Sequence, residues 1–339
     1  MTSSNAHRFL ILVITGLLLL TLVTGCKPIA ETTQPASNTP EPTNVVTAEP
    51  TVVSRKLILA DPDGTASPEV ISFLTEQAAE NGLVFETTAV IDSAALTNGN
   101  HVVVFISKPD NLQDLVSALP QTQFIVAANE DPAGMSNLSV IKTQAQDLAF
   151  MSGYLTALIS EDWRSSGLIP NDTSLGLNYK DAFVNGARYL CGLCVPYWAP
   201  LLYFPVVVEA SATAGADAWI SQFNLLSDNV VYTVFVDPSI ALPEVLENLT
   251  SSNYTLVGNA GTSTPESFTA LLGYDLLPGL KTLLPSALAG MGGQTSNASV
   301  KITSYASDGL VTPAKIDAFN KVAADLAAGW INPLSVPDN

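Results

Sequence analysis

The sequence predicts an α/β fold of two lobes, each built on a mostly parallel sheet. From Lys56 onward, apolar runs of strand length alternate with helical patterns, and after a long helix over 143–159 the alternation begins again. The folded part starts near Arg55 and spans about 280 residues, a length suited to two ordinary cores rather than one.

The first unit runs strand 57–60, turn 61–64 and helix 68–81, with Val70, Phe73, Leu74 and Ala78 on one face and Gly82 closing it. Strands follow at 84–87, 101–106 and 123–128, with a helix over 111–118, and 138–141 reads as a strand that crosses between lobes. In the long helix, Ala145, Ala149, Gly153 and Ala157 allow close packing. The second array places strands at 167–169, 206–208, 230–236 and 254–257, and helices at 179–190, 214–224 and 243–249. A helix over 275–288, a strand over 300–305 and a helix over 313–328 complete it. Two such arrays fit two Rossmann-like lobes with parallel sheets, with a ligand expected where the strand C-termini of both lobes face each other.

The N-terminus reads as a lipoprotein export signal, favoured over a transmembrane helix or a secretory signal whose cysteine is incidental. Arg8 is a positive flank, 9–23 an apolar run, and Val23-Thr24-Gly25-Cys26 reads as a lipobox, with cleavage after Gly25 leaving a lipid-modified Cys26. The apolar run, about 15 residues, is shorter than the roughly 20 that span a bilayer. Residues 27–54 are rich in Pro, Thr, Ala and Glu, with Pro28, Pro35, Pro40, Pro42 and Pro50 favouring an extended tether. The expected organisation is signal 1–25, lipidated Cys and tether 26–54, lobe 1 over 55–143 plus 268–306, and lobe 2 over 144–267 plus 307–336. The expected location is the extracytoplasmic face of a cell membrane.

The net charge is −18, and removal of Arg8 with the signal leaves 12 basic against 31 acidic residues. Such a chain lacks the basic stripe that nucleic acid requires, so no nucleic-acid partner is expected. Of the cysteines beyond Cys26, Cys191 and Cys194 form a Cys-x-x-Cys pair. Outside the cytoplasm such a pair is oxidised, and a small structural disulfide in a helix-to-strand turn is favoured over a redox pair or half a zinc site. The histidines are His7 and His101. No metal site and no cofactor is expected.

Several stretches then resemble one family in order and spacing. Pro120-Gln121-Thr122-Gln123-Phe124-Ile125-Val126 precedes Asn137-Leu138-Ser139-Val140, and Met151-Ser152-Gly153-Tyr154-Leu155-Thr156-Ala157 is followed by Phe183-Val184-Asn185-Gly186-Ala187. Asp308-Gly309-Leu310, Pro313-Ala314-Lys315 and Leu326-Ala327-Ala328-Gly329-Trp330-Ile331 close the series. Together they resemble the basic membrane protein family, the PnrA-like or TmpC-like substrate-binding lipoproteins of ABC importers. The resemblance implies the type 1 periplasmic-binding-protein, or clam-shell, fold, a small-molecule ligand, an ABC permease partner and a monomer.

Where the family places Asp-x-Ser-Phe-Asn after its first strand, with Phe stacking on a purine, this chain has Asp61-Pro62-Asp63-Gly64-Thr65-Ala66. The second stacking position is Tyr179, and Asn259 lies near the position where family members grip ribose with Asp. A ligand that is nucleoside-like or sugar-like is expected, bound by polar groups at strand ends: Asp61, Asp63, Asn129, Asp131, Asn171, Asp172, Asp237 and Asn259, with Tyr179 as platform. Asp and Asn also suit turns for conformational reasons. An acidic cleft is anticipated, with Lys281 and Lys301 on the surface, and Trp163, Tyr197, Trp198, Tyr203, Phe204 and Trp219 are read as core or edge packing.

Catalysis needs a nucleophile with its base, a metal cluster or paired carboxylates. The sequence holds no Gly-x-Ser-x-Gly, P-loop or His-Glu-x-x-His, and an enzyme is not expected. The competing readings are a ligand sensor acting on a membrane receptor and, further off, a hydrolase using Asp61 and Asp172.

Overall fold

The computed structural model describes residues 54–334 apart from 97–98, 130–133, 173–175, 200 and 263. Cys26, the lipobox, the tether and Asp131 lie outside the described residues.

The first sheet contains β1 (Lys56–Ala60), β2 (Val84–Thr88), β3 (Val102–Phe105), β4 (Gln123–Ala128) and β5 (Leu138–Lys142). Helices α1 (Pro68–Glu80) and α2 (Leu112–Ala118) connect them. Strands β1, β3, β4 and β5 are buried on both faces along nearly all their length, which is why they read as apolar runs, whereas the edge strand β2 is partly exposed. Their period-2 alternation sorts the side chains. Leu57 and Leu59 of β1 point to a core shared with Val70 and Leu74 of α1, whereas Ile58 and Ala60 join Leu112, Leu115 and Val116 of α2. Ser67 caps α1, its hydroxyl accepting from the Val70 N–H, and Pro68 occupies the first turn.

The second sheet follows α3 (Ala145–Ile159). It comprises β6 (Ser165–Pro170), α4 (Gly176–Cys191), β7 (Val206–Ala210), α5 (Ala216–Ile220), α6 (Asn224–Asp228), β8 (Thr233–Val236), α7 (Pro243–Ser251), β9 (Thr255–Asn259) and β10 (Ala270–Asp275). Helix α8 (Leu277–Leu288) and β11 (Thr295–Asn297) return to the first lobe, and β12 (Ser299–Tyr305) and α9 (Pro313–Ala327) to the second. Strand order is β11-β5-β4-β3-β1-β2 in one sheet and β12-β10-β9-β8-β6-β7 in the other. Every pairing is parallel except β10 with β12. Helices α3, α4 and α9 cover one face of the second sheet, and α5, α6 and α7 the other.

The expected lobe boundaries need correction. Residues 268–306 do not return to lobe 1 as a block, because β10 and β12 pair with each other and with β9 in the second sheet. Only α8 and β11, inserted between them, belong to the first. The chain therefore crosses three times between sheets, at 142–145, 275–277 and 297–299. Two further expectations shift locally. The helix over 214–224 is two short helices, and the strand over 230–236 begins only at Thr233, after Val230 at φ 54°.

Helices α3 and α4 meet at a reciprocal glycine contact. A Cβ on Gly153 would collide with the Phe183 carbonyl, and one on Gly186 with the Phe150 carbonyl. The family-like motifs around residues 151 and 183 are thus a helix-crossing device. No helix among the described residues is long and apolar enough to cross a membrane.

Candidate functional site

A cavity of about 470 Å³ lies between the two sheets, beside the crossovers. Its first-lobe wall comes from strand C-terminal ends: Thr65, Ala66 and Ser67 after β1, Ile106 to Lys108 after β3, and Asn129 after β4. That is where an open parallel sheet presents loops and helix N-termini to a ligand. The second-lobe wall is different. Ala260 follows β9, but Gly273, Tyr274, Lys301 and Thr303 lie within β10 and β12. The antiparallel pair thus turns strand faces, rather than strand ends, to the cleft. Thr143, Ala145 and Leu276 close the crossover side.

The wall is not acidic. Its charged residues among those described are Lys108 and Lys301, set among Thr, Ser and Asn groups and small apolar side chains. Lys301, expected on the surface, lines the cleft from β12, which pairs antiparallel with β10 and sets Lys301 opposite Gly273, where a Cβ would press on the Thr303 side chain. Its Nζ lies 3.6 Å from Asp275 Oδ1, so one carboxylate holds the ammonium at the crossover. Lys281 lies over the Phe73 ring, 6.0 Å from its centroid.

Of the eight ligand-binding candidates among the described residues, only Asn129 lines this cavity. Asp61 stands behind the wall, its carboxylate accepting from the N–H groups of Thr65 at 2.8 Å and Ala66 at 2.9 Å. It shapes the loop that lines the cleft. Asp63 is exposed in the same turn. Asn171 and Asp172 follow β6, exposed, and Asp172 ties that end to the one after β7 by accepting from Ser211 Oγ and from the Ala212 N–H. The Ala212 bond, with help from Ser211, holds the Asp172 carboxyl below its ordinary pKa. Neither Asp61 nor Asp172, the two carboxylates of the hydrolase reading, lines the cavity, and each is bonded to backbone and hydroxyl groups of its own lobe.

Tyr179 requires a correction. It is 3% exposed and packs in the core among Phe183, Phe235 and Val257, so its ring faces protein rather than ligand. The phase of α4, fixed by the Gly186 contact with α3, turns it inward. Its hydroxyl accepts from Asn259 Nδ2 at 3.4 Å, and Asn259 Oδ1 lies 3.4 Å from Ser152 Oγ. Burial, with the nearby charge of Asp237, raises the Tyr179 pKa. Asp237 is itself buried and caps a short turn, accepting from Ser239 N–H and Oγ. Three of the candidates therefore form a structural polar cluster beneath the second-lobe surface.

Two residues absent from the sequence reading matter more. Tyr274 lines the cavity, and burial followed by the charge of Asp147 raises its pKa. Asp147, in the first turn of α3, is 7% exposed, and burial pushes its pKa up to about 6. An isolated acidic residue at the start of a helix gives no sequence signal of such burial. Cys191, the last residue of α4, is joined by a disulfide to Cys194 just beyond it.

No family model and no curated protein sequence matches the chain. Solved structures do resemble it in fold. An ABC transporter solute-binding protein from Conexibacter woesei superposes with a TM-score of 0.55 at 13% identity, covering 83% of this chain and 98% of that one. A transcriptional activator of the comK gene from Bacillus halodurans gives a TM-score of 0.51 at 13% identity, covering 84% of this chain and 100% of that one. The fold is the two-lobed type 1 periplasmic-binding-protein fold.

Proposed function

We propose that this chain is an extracytoplasmic solute-binding lipoprotein of an ABC importer, anchored through Cys26, that captures a small hydroxyl-rich ligand between its lobes. The observation that carries this reading is the 470 Å³ cavity, walled by both lobes and bordered by the crossovers. Closure about those crossovers would bury a ligand and change the surface offered to a permease; ligand affinity for the closed form supplies the driving force. The basic-membrane-protein-like motifs and the solute-binding neighbour from Conexibacter woesei support it.

The wall favours a sugar-like ligand over a nucleoside. Tyr179 is withdrawn into the core and Tyr274 is the aromatic residue among those described in the lining, so a base would lack a sandwich of two rings. Ser67, Ser107, Asn129, Thr143 and Thr303 offer hydrogen bonds at several points of the wall, and Lys108 and Lys301 add cationic donors. Such a wall suits hydroxyls and, where the sugar carries one, a carboxylate.

Mass spectrometry of small molecules released from the purified chain tests this reading, followed by a thermal-shift panel of sugars, sugar acids and nucleosides. A ligand at a hundredfold excess over Kd stabilises by about 2.7 kcal/mol. Loss of palmitate labelling in Cys26→Ser tests the anchor separately; labelling that survives removes it.

A further inference from the structure

The polypeptide from Tyr189 to Val208 contains no charged residue and no Ser, Thr, Asn or Gln. In a chain of net charge −18 such a stretch belongs in a core, yet its middle is outside. Leu193, Tyr197, Trp198, Leu201 and Tyr203 are each exposed, with Tyr197 at 79% and Trp198 at 78%. The sequence predicts Tyr197, Trp198, Tyr203 and Phe204 as core or edge packing, yet Phe204 alone of the loop's aromatic residues is buried.

The loop is held firmly at its base while these side chains point out. The Cys191–Cys194 disulfide closes its start, and the Phe204 N–H donates to the Cys194 carbonyl at 3.2 Å, closing its end. Arg164, 3% exposed, donates from Nη2 to the Trp198 carbonyl at 2.9 Å and lies 5.8 Å from the Phe204 ring centroid. Asp162 Oδ1 accepts from the Tyr197 N–H at 3.1 Å. A buried guanidinium and a half-buried carboxylate thus fix the backbone of an exposed apolar loop. A preorganised surface loses little conformational freedom when it binds.

The loop precedes β7, at the N-terminal end of the parallel strands of the second sheet, and Arg164 precedes β6 at the same end. The cleft is reached from the opposite end, through Ala260 after β9. Contact through this loop would leave the ligand site open.

We propose that the loop of Tyr197, Trp198, Leu201 and Tyr203 seats the domain on the membrane interface. This rests on the lipoprotein reading, which places a bilayer beside the domain. Tyr and Trp, with an apolar ring and one polar tip, are the side chains enriched at the bilayer–water boundary. The loop has no charge with which to match a protein surface. A tether over 27–54 at about 3 Å per residue reaches roughly 85 Å, beyond the roughly 50 Å diameter of a domain this size, so this face can reach the bilayer to which Cys26 would be fixed. The acidic chain is repelled by anionic lipid, so the apolar contact acts best on a zwitterionic surface.

The test uses unacylated protein, the chain from residue 26 onward with Cys26→Ser, cosedimented with phosphatidylcholine vesicles. The expected result is measurable partition that falls at least tenfold in the double variant Tyr197→Ser/Trp198→Ser. Partition is also expected to weaken when phosphatidylglycerol is added at low salt. Brominated lipid should quench tryptophan fluorescence, and Trp198→Phe should abolish the quenching while keeping partition within a few fold. A thermal melt of each variant matching the parent shows that the fold is intact. Absence of partition, equal partition in the double variant, or a concentration-dependent dimer that forms through the loop without vesicle binding would each overturn the proposal. Palmitate labelling of Cys26 reads the anchor independently, so failure of one does not mimic failure of the other.

Discussion

The Ala298 N–H donates to the Lys142 carbonyl at 2.9 Å, tying the third crossover of the chain to the first. Val140 N–H donates to Gln294 O at 2.9 Å one step away, where β11 pairs in parallel with β5. The first and third crossovers are therefore joined by hydrogen bonds rather than being separate linkers. Ala298→Pro removes this donor from a buried position and should cost about 1–3 kcal/mol. Chemical denaturation checks it, and an unchanged midpoint would mean that the crossovers act independently.

The Gly153 and Gly186 contact makes a second prediction. Ala at either position drives a methyl group into a facing carbonyl, so helices α3 and α4 must separate. Overpacking of this kind costs about 1–3 kcal/mol and sometimes more. The two substitutions act on one interface and should be non-additive in a double-mutant cycle.

Asp147 predicts a pH dependence. Burial raises its folded pKa to about 6, above the unfolded value of about 3.9. The native state therefore binds more protons than the unfolded state between these values, so this group's contribution to stability falls as pH rises from about 4 to about 6. The loss amounts to at most about 3 kcal/mol above pH 6. Asp147→Asn should remove that slope and be the more stable form at pH 7. Urea unfolding across pH 4–7 reads it, and parallel profiles for the two proteins would contradict the burial.

The disulfide joins residues three apart, a very short loop, so reduction should lower stability by no more than about 2 kcal/mol on the chain-entropy model. Its larger effect falls on the loop it closes. Reduction should increase amide exchange in residues 192–204 while leaving the cleft residues around Thr65 protected as before.

Much of the fold was legible because buried parallel strands such as Leu57–Ala60 and Val102–Phe105 are unbroken apolar runs flanked by turn residues. The return to the first lobe was not. Strand β11 is Thr-Ser-Asn, without an apolar residue, and β10 merges in sequence with the helix that follows it, so residues 268–306 carry no mark of being divided between sheets. The site followed the same division. First-lobe strand ends near Asp61 and Asn129 were found from their turns, whereas Tyr274 and Lys301 face the cleft only because β10 and β12 pair antiparallel. Tyr179 and Asn259 occupy positions that a family pattern marks as binding, but the helix phase set by Gly186 buries Tyr179, and Asn259 is hydrogen-bonded to it.

The central claim is that the ligand sits between the lobes against Lys301, and a thermal-shift titration of three proteins side by side tests it most directly. In the parent chain, the ligand found by the panel should raise the melting temperature in a saturable way. In Ala260→Trp, where an indole from an exposed wall position fills the cavity, and in Lys301→Ala, the shift should fall by at least the equivalent of tenfold in affinity, about 1.4 kcal/mol. A full shift retained in both variants would place the ligand elsewhere and contradict the account.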